Sequence, residues 1–325
     1  MLYAVDVQVG ALVDALKKKG MFDSNLLFIL ASDNNGPIAG SSRCKICGDH
    51  TGASNWPLRG GKHSLWEGGT RGISFVYGSP DVIPASRAGK NVTGMMHFVD
   101  YLPTIAHFAG ADVQAALKNL SSSYGIDGMD MYDMIVGLNM TSPRQDILLN
   151  YDPLHNINGP MDPNNSGGNA AIVSTDVDPE SPLRYWKLHI GDPGPPDVWS
   201  PANSSAPGLS MPRTTQSSVT TMAQLAQLAK LDATADPLGV QLLSSGFEGS
   251  FLPNTTMLLF DVSDDADPYE TTNVAASHAS IVAALSAKIY KQAARSVPPD
   301  FCYGSCKDPA GDPKNFNGTW TPWKP

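Results

Sequence analysis

Apolar residues open the chain at helical spacing. Leu2, Val5, Val9, Leu12, Val13 and Leu16 fall on one face, Lys17 to Lys19 suit the negative end of the helix dipole, and Gly20 suits a left-handed cap. The pattern predicts an opening helix. A short continuous apolar run at 26–31 follows, bounded by polar residues, and predicts a parallel strand covered on both faces. It ends in Ser32-Asp33-Asn34-Asn35-Gly36, at the carboxyl end of a strand, where open α/β sheets place their ligand crevice. A second strand is expected over 72–78. Asp100 is placed to cap a helix whose Leu102, Ile105, Ala106 and Ala109 share a face, with Pro103 tolerated in its first turn. Further strands are expected at 147–149, 185–190 and 257–262, and a closing helix carries Ile281, Leu285 and Ile289. Between them, residues 152–182 turn rich in Asn, Gly, Pro and Asp, and 192–221 in Pro, Ser and Thr.

This ordering predicts two units: an α/β domain over 1–157 and a smaller α+β domain over 158–325. A chain of 325 residues has room for both, and 42% apolar with 16% charged residues is a folding composition. The 30 Gly and 26 Pro point to long loops. A net charge of -9 excludes a general nucleic-acid binder, so an anionic ligand has to be met locally. No apolar run approaches the ~18 residues of a membrane span.

The N-terminus lacks the basic region and apolar core of a signal peptide. Yet seven N-x-S/T sequons stand at Asn91, Asn119, Asn139, Asn164, Asn203, Asn254 and Asn317, where 18 Asn would give about three by chance. Sequons in excess favour the secretory pathway, and together with the missing leader they create the expectation of a piece of a longer chain. Cys44 with Cys47 and Cys302 with Cys306 permit disulfides in any of three connectivities or a four-thiolate zinc site.

Two segments carry candidate chemistry. Asp33 and Asn34 offer hard oxygens suited to Ca²⁺ or Mg²⁺, although the same residues are common turn formers. The run Asn55-Trp56-Pro57-Leu58-Arg59-Gly60-Gly61-Lys62-His63-Ser64-Leu65-Trp66-Glu67-Gly68-Gly69-Thr70-Arg71-Gly72 is a cationic island: Arg59, Lys62, His63 and Arg71 face only Glu67, and the glycines let backbone approach a ligand. It reads as anion recognition, or as a solvated loop whose Arg pairs with Glu67. Asp261, Ser263, Asp265 and Asp267 imitate calcium-loop spacing, but Ala266 and Thr272 replace the required Gly and Glu, so the run is an acidic turn. Met95, Met96, Met129, Met131 and Met134 read as core, and His97, His107 and His189 as packed or capping residues. The G-x-S-x-G, P-loop, H-E-x-x-H and G-x-G-x-x-G motifs are missing from the sequence.

Ala31-Ser32-Asp33-Asn34 and the run from Asn55 to Gly72 closely resemble the sulfatases. Within that family the order of Tyr101-Leu102-Pro103-Thr104, Gly125-Ile126-Asp127-Gly128, Tyr185-Trp186-Lys187-Leu188 and Leu259-Phe260-Asp261 is most like the arylsulfatase B type. The likeness covers most of this chain but corresponds to the family's C-terminal half, with 41–54 as an insertion. It implies an alkaline-phosphatase-like α/β domain, incomplete at its N-terminus, followed by a small α+β domain with an antiparallel sheet and a C-terminal helix.

Carried over residue by residue, the resemblance makes Asp33 and Asn34 ligands of a calcium ion and Lys62 the catalytic cation on a sulfate oxygen. His63, a departure from the family's usual aromatic, becomes a substrate-side neighbour. Arg71 and Glu67 go to loop structure. The implied substrate is a sulfated glycan or aryl sulfate ester, and the implied compartment is lysosomal or extracellular. The family's nucleophile is a formylglycine made within C-x-P-x-R or S-x-P-x-R. No cysteine here fits that motif, and in Ser142-Pro143-Arg144 the proline comes one place early. The expectation is therefore a sulfatase piece without turnover of its own, leaving too few ligands for tight calcium binding. The alternatives are a non-catalytic binder of sulfated glycans, or a phosphatase or phosphodiesterase of the same superfamily. A sheet lacking its family's N-terminal strands is further expected to show an open edge and apolar faces.

Overall fold

The computed structural model describes residues 2–37, 53–112, 126–152, 169–194, 256–296 and 309–321, with the backbone of 220–221. Helix α1 spans Leu2–Lys18. It ends in a Schellman motif: Gly20 at φ +67° donates to the Lys17 carbonyl at 3.0 Å, and Met21 donates to Leu16 at 2.9 Å. The apolar stripe that predicts this helix meets no described element closely enough to bury a side chain, and Leu2 and Tyr3 are more than four-fifths exposed.

Strand β1, Leu27–Ala31, pairs with β2, Ser74–Gly78, from Leu27 opposite Gly78 to Ala31 opposite Ser74. The pairing is antiparallel and every β1 residue is half-buried, which corrects the expectation of a parallel strand covered on both faces. An unbroken apolar run reports affinity for a covered position and says nothing about the direction of the partner strand. On β2, Phe75 stays about half exposed, as does much of Ile73 before it.

A five-stranded antiparallel sheet is the larger unit. In spatial order it runs β3 (Asp146–Asp152), β4 (Asn169–Ser174), β5 (Trp186–Ile190), β7 (Thr256–Asp261) and β6 (Thr220–Thr221). The boundary expected after residue 157 falls outside the described residues. β3, before it, pairs with β4, after it.

Strand alternation gives this sheet two different faces. Trp186, Leu188 and Ile190 join Ala170, Ile172, Met257 and Leu259 on one side, against Ile281, Val282, Leu285 and Ile289 of α5, Ala279–Ala293. Lys187 and His189 point to the other side, where Val173 and Phe260 pack on Trp66 and Met95. The Gly-rich segment of the first half is thus clamped to the sheet's second face. A small cluster of Met131 with Met134 and Ile135 of α4 (Tyr132–Val136) packs near β2.

Helix α3, Tyr101–Phe108, turns the opposite way from expectation. Leu102 and Ile105 are exposed, while Pro103 and Thr104 are buried. The cause is hydrogen bonding: Thr104 Oγ1 donates to the Asp100 carbonyl at 2.6 Å and accepts from the Met131 amide at 3.0 Å. Asp100 does not cap α3 with its side chain. Its buried carboxylate takes the amides of His97 (2.7 Å) and Met129 (2.8 Å) and a bidentate ion pair from Arg144. Ser142, beside that arginine, donates to the Met95 carbonyl at 2.5 Å and accepts from the Arg144 amide. Ser142-Pro143-Arg144 is therefore consumed as structure.

Truncating Leu285, fully buried between α5 and the sheet, should lower stability by about 2–5 kcal/mol. A Leu285→Ala variant would show this as a lower urea midpoint with an unchanged slope.

Candidate anion-binding site

The Gly-rich segment folds back on itself before it can meet a ligand. Gly68 donates to the Arg59 carbonyl at 2.6 Å, and a Cβ on Gly68 would lie 2.4 Å from the Gly60 oxygen. A Cβ on Gly69 would lie 2.3 Å from the Ser64 oxygen. These two glycines permit the loop's own strands of backbone to touch, which corrects their expected use as ligand-approach points. Helix α2, Glu67–Thr70, is the single turn at the end of this fold-back.

The four cations of the island separate into two kinds. Arg59 is buried, stacked 3.7 Å above the Trp66 ring, and donates to the Glu270 carbonyl at 2.7 Å. Arg71 donates from Nε to Glu67 Oε2 at 2.6 Å, the structural pairing expected of both residues. Lys62 is half-buried and His63 exposed, and neither side chain has a hydrogen bond or ion pair among the described residues. The island contracts to these two.

Lys62 and His63 occupy the centre of a β-turn in which Ser64 N donates to the Gly61 carbonyl at 3.0 Å, and His63 has φ +73°. That is the left-handed position of a type II turn, where Gly is the usual occupant. Ser64 Oγ reinforces the turn by donating to the Gly61 carbonyl at 2.7 Å. The turn is also tied to the segment after β1: Lys62 N donates to the Gly36 carbonyl at 3.1 Å. Asn55 bridges the same two stretches, accepting from Gly36 N at 3.0 Å and donating to the carbonyls of Gly36 (2.8 Å) and Gly60 (3.1 Å). Asn35 donates to the Arg71 carbonyl at 2.7 Å. The segment bearing Asp33 and Asn34 is therefore stitched to the loop that presents Lys62.

Asp33 is exposed, and its Oδ1 accepts the Asn34 amide at 2.9 Å; Asn34 is half-buried and its Nδ2 donates to Asn35 O at 2.9 Å. These are two hard oxygens, whereas calcium takes roughly six to eight. Among the described residues no group of three or more His, Cys, Asp or Glu side chains converges. The described residues by themselves do not make a calcium site. The four cysteines, and the sequons at Asn119, Asn164, Asn203 and Asn254, lie outside the described residues; Asn91, Asn139 and Asn317 are exposed.

Behind the turn lies a buried charge cluster that sequence reading missed. Lys187, fully buried, donates from Nζ to Glu67 Oε1 at 2.7 Å and lies 3.1 Å from Glu270 Oε1. Glu270 Oε2 accepts the Glu67 amide at 2.6 Å, and Glu270 Oε1 lies 2.8 Å from His189 Nε2. Burial pushes the Glu270 carboxyl upward, but the Lys187 ammonium and the His189 hydrogen bond outweigh it and hold the group at about 2. Burial drives His189 below its ordinary value, opposed by its bond to Glu270 and assisted by Lys187. The neutral ring then donates from Nε2, leaving Nδ1 buried without a partner among the described residues. The available signal was the Lys187 and His189 alternation within a strand of buried residues: a Lys aimed inward requires a carboxylate opposite.

No family model matches the chain. Arylsulfatase J of Mus musculus is 28% identical over 326 aligned positions, covering 99% of this chain and 43% of its own length. Steryl-sulfatases of Rattus norvegicus and Mus musculus are each 29% identical over 133 positions, 41% of this chain and 20% and 19% of theirs. The chain thus spans less than half the length of the relatives it matches. The matches support the sulfatase resemblance at family level and do not single out the arylsulfatase B type. No described helix is long and apolar enough to cross a membrane.

The buried cluster makes stability depend on pH. His189 has a folded pKa below its ordinary 6.5, so its contribution is intact above 6.5 and is lost as pH falls below it. Glu270 drops from 4.5 to about 2, so its contribution is lost between about 4.5 and 2. Urea midpoints should therefore fall from pH 7.5 to 5.5 and again toward pH 3, and His189→Gln should flatten the first step.

Proposed function

We propose that the chain carries the oxyanion-holding part of a sulfuric ester hydrolase, with Lys62 as the group that meets the sulfate. One observation carries this reading: of the island's cations, both arginines are committed to internal partners, whereas the Lys62 ammonium is left free of described partners on a buttressed turn. The similarity to arylsulfatase J along the chain supports it. A sulfate ester develops negative charge on its oxygens as the bond to the leaving group breaks. An ammonium held in place beside them stabilises that state more than the ground state. His63, next on the same turn, supplies a ring for the substrate side.

Asp33 and Asn34 would supply two oxygens to a calcium ion whose other ligands come from outside the described residues. When bound, such an ion would neutralise sulfate charge. The substrate in this reading is a sulfated glycan or aryl sulfate ester, in the manner of the arylsulfatase B type, and the compartment is secretory, consistent with the exposure of Asn91, Asn139 and Asn317. The 325 residues contain no C-x-P-x-R or S-x-P-x-R run, so the activity expected of this polypeptide is to hold a sulfate ester without cleaving it.

Calorimetry with 4-nitrophenyl sulfate tests the reading. The ester should bind, 4-nitrophenol should not, and Lys62→Ala should weaken binding about tenfold or more, the scale of one charge-assisted hydrogen bond. Equal binding by Lys62→Ala would remove Lys62 from the site, and release of inorganic sulfate by the purified chain would overturn the holding-only assignment.

A further inference from the structure

We infer that Lys187, through Glu67 and Glu270, is a positioning residue for the Lys62 turn. The inference rests on Lys62 being the sulfate-holding group.

Glu67 follows Lys62 by five residues, and little slack lies between them. The turn is closed by Ser64 N on the Gly61 carbonyl, and Leu65 N donates to the Pro193 carbonyl at 2.7 Å. Trp66 is buried between Arg59 and His189, with ring centroids 4.9 Å apart in the latter pair. At the end of this stretch both the backbone and the side chain of Glu67 are held from the sheet side. Its amide is gripped by Glu270 Oε2 and its carboxylate by Lys187 Nζ. The same Lys187 ammonium faces Glu270, so one buried cation fixes two carboxylates at once.

The charges show why Lys187 is the keystone. Lys187 and Arg71 balance Glu67 and Glu270, with His189 kept neutral by burial. Such a set is a weak source of net stability, because desolvation offsets much of the attraction. It is, however, a strong geometric constraint: any displacement of Glu67 from the sheet leaves buried charges without partners. Placing a catalytic or binding cation within about half an ångström requires support of this kind from residues that never touch the ligand.

The test uses the whole 325-residue chain. Lys187→Met combined with Glu270→Met removes a cation and an anion together and leaves Glu67 paired with Arg71. In that variant, amides of residues 60–66 should exchange about tenfold faster while α5 keeps its protection. Its affinity for 4-nitrophenyl sulfate should fall about tenfold, a loss of about 1.4 kcal/mol. Leu285→Ala, on the opposite face of the sheet, serves as a stability control and should spread its effect over the sheet instead of the turn.

A folded double variant with wild-type exchange at 60–66, or with faster exchange but unchanged affinity, overturns the inference. If the wild-type chain binds no sulfate ester, the reading of Lys62 fails, and the exchange measurement still decides whether Lys187 holds the turn. Should the double variant not fold, Glu270→Gln answers the same question, with faster exchange at 60–66 in support and wild-type exchange against.

Discussion

A buried lysine ammonium obliges the rest of the structure to come to it. Lys187 sits on β5, Glu67 is 120 positions earlier and Glu270 is 83 positions later, yet their charged atoms lie within about 3 Å. Moving even one of these ions from water into the interior costs several kcal/mol unless a partner is waiting. The cluster therefore forms only when the Gly-rich segment, the sheet and the loop after β7 are all in place. Arg59 strengthens the same junction from another direction, with its guanidinium on Trp66 and its hydrogen bond on the Glu270 backbone. The first and second halves of the chain meet at a polar joint surrounded by Trp66, Phe260 and Val262.

This joint explains the character of the surface in front of it. Two of the island's three Lys and Arg charges are spent on internal contacts, which leaves the turn at Gly61–Ser64 with a small, localised cationic face. A single ammonium in an acidic protein is weak at long range but effective at contact, where water is partly excluded and the geometry is fixed. The rigidity comes from hydrogen bonds around the turn: the Gly36 carbonyl accepts the Lys62 amide, Asn55 ties Gly36 to Gly60, and the Ser64 hydroxyl donates to the Gly61 carbonyl, leaving the Lys62 side chain uncommitted among the described residues.

Much of the fold was legible because short strands and amphipathic helices advertise themselves through period. β5, β7 and α5 lie where alternation and helical spacing predict them. What periodicity could not supply was partner identity. The run 26–31 is a strand, but its antiparallel pairing depends on Ser74 to Gly78, more than forty residues away. In α3 the apolar stripe of Leu102 and Ile105 pointed the wrong way, because a threonine hydroxyl and a buried aspartate outweighed two exposed methyl-rich side chains. At the site, Asp33, Asn34, Lys62 and His63 could be singled out from local composition. Lys187, His189 and Glu270 could not, since each looks ordinary until its distant counterion is known. The glycines were similarly ambiguous: a sequence shows that backbone can come close to something, and only the folded chain shows that the something is itself.

The centre of the larger sheet carries a different consequence. Ile190 of β5 lies opposite Met257 of β7, 67 positions later in the chain, and Thr220 of β6 is paired with the same Met257 from the other side. Pairings between residues so far apart in sequence are slow to form, because the chain gives up its freedom before the contact rewards it. Assembly of this sheet is therefore set by topology more than by the strength of any one strand.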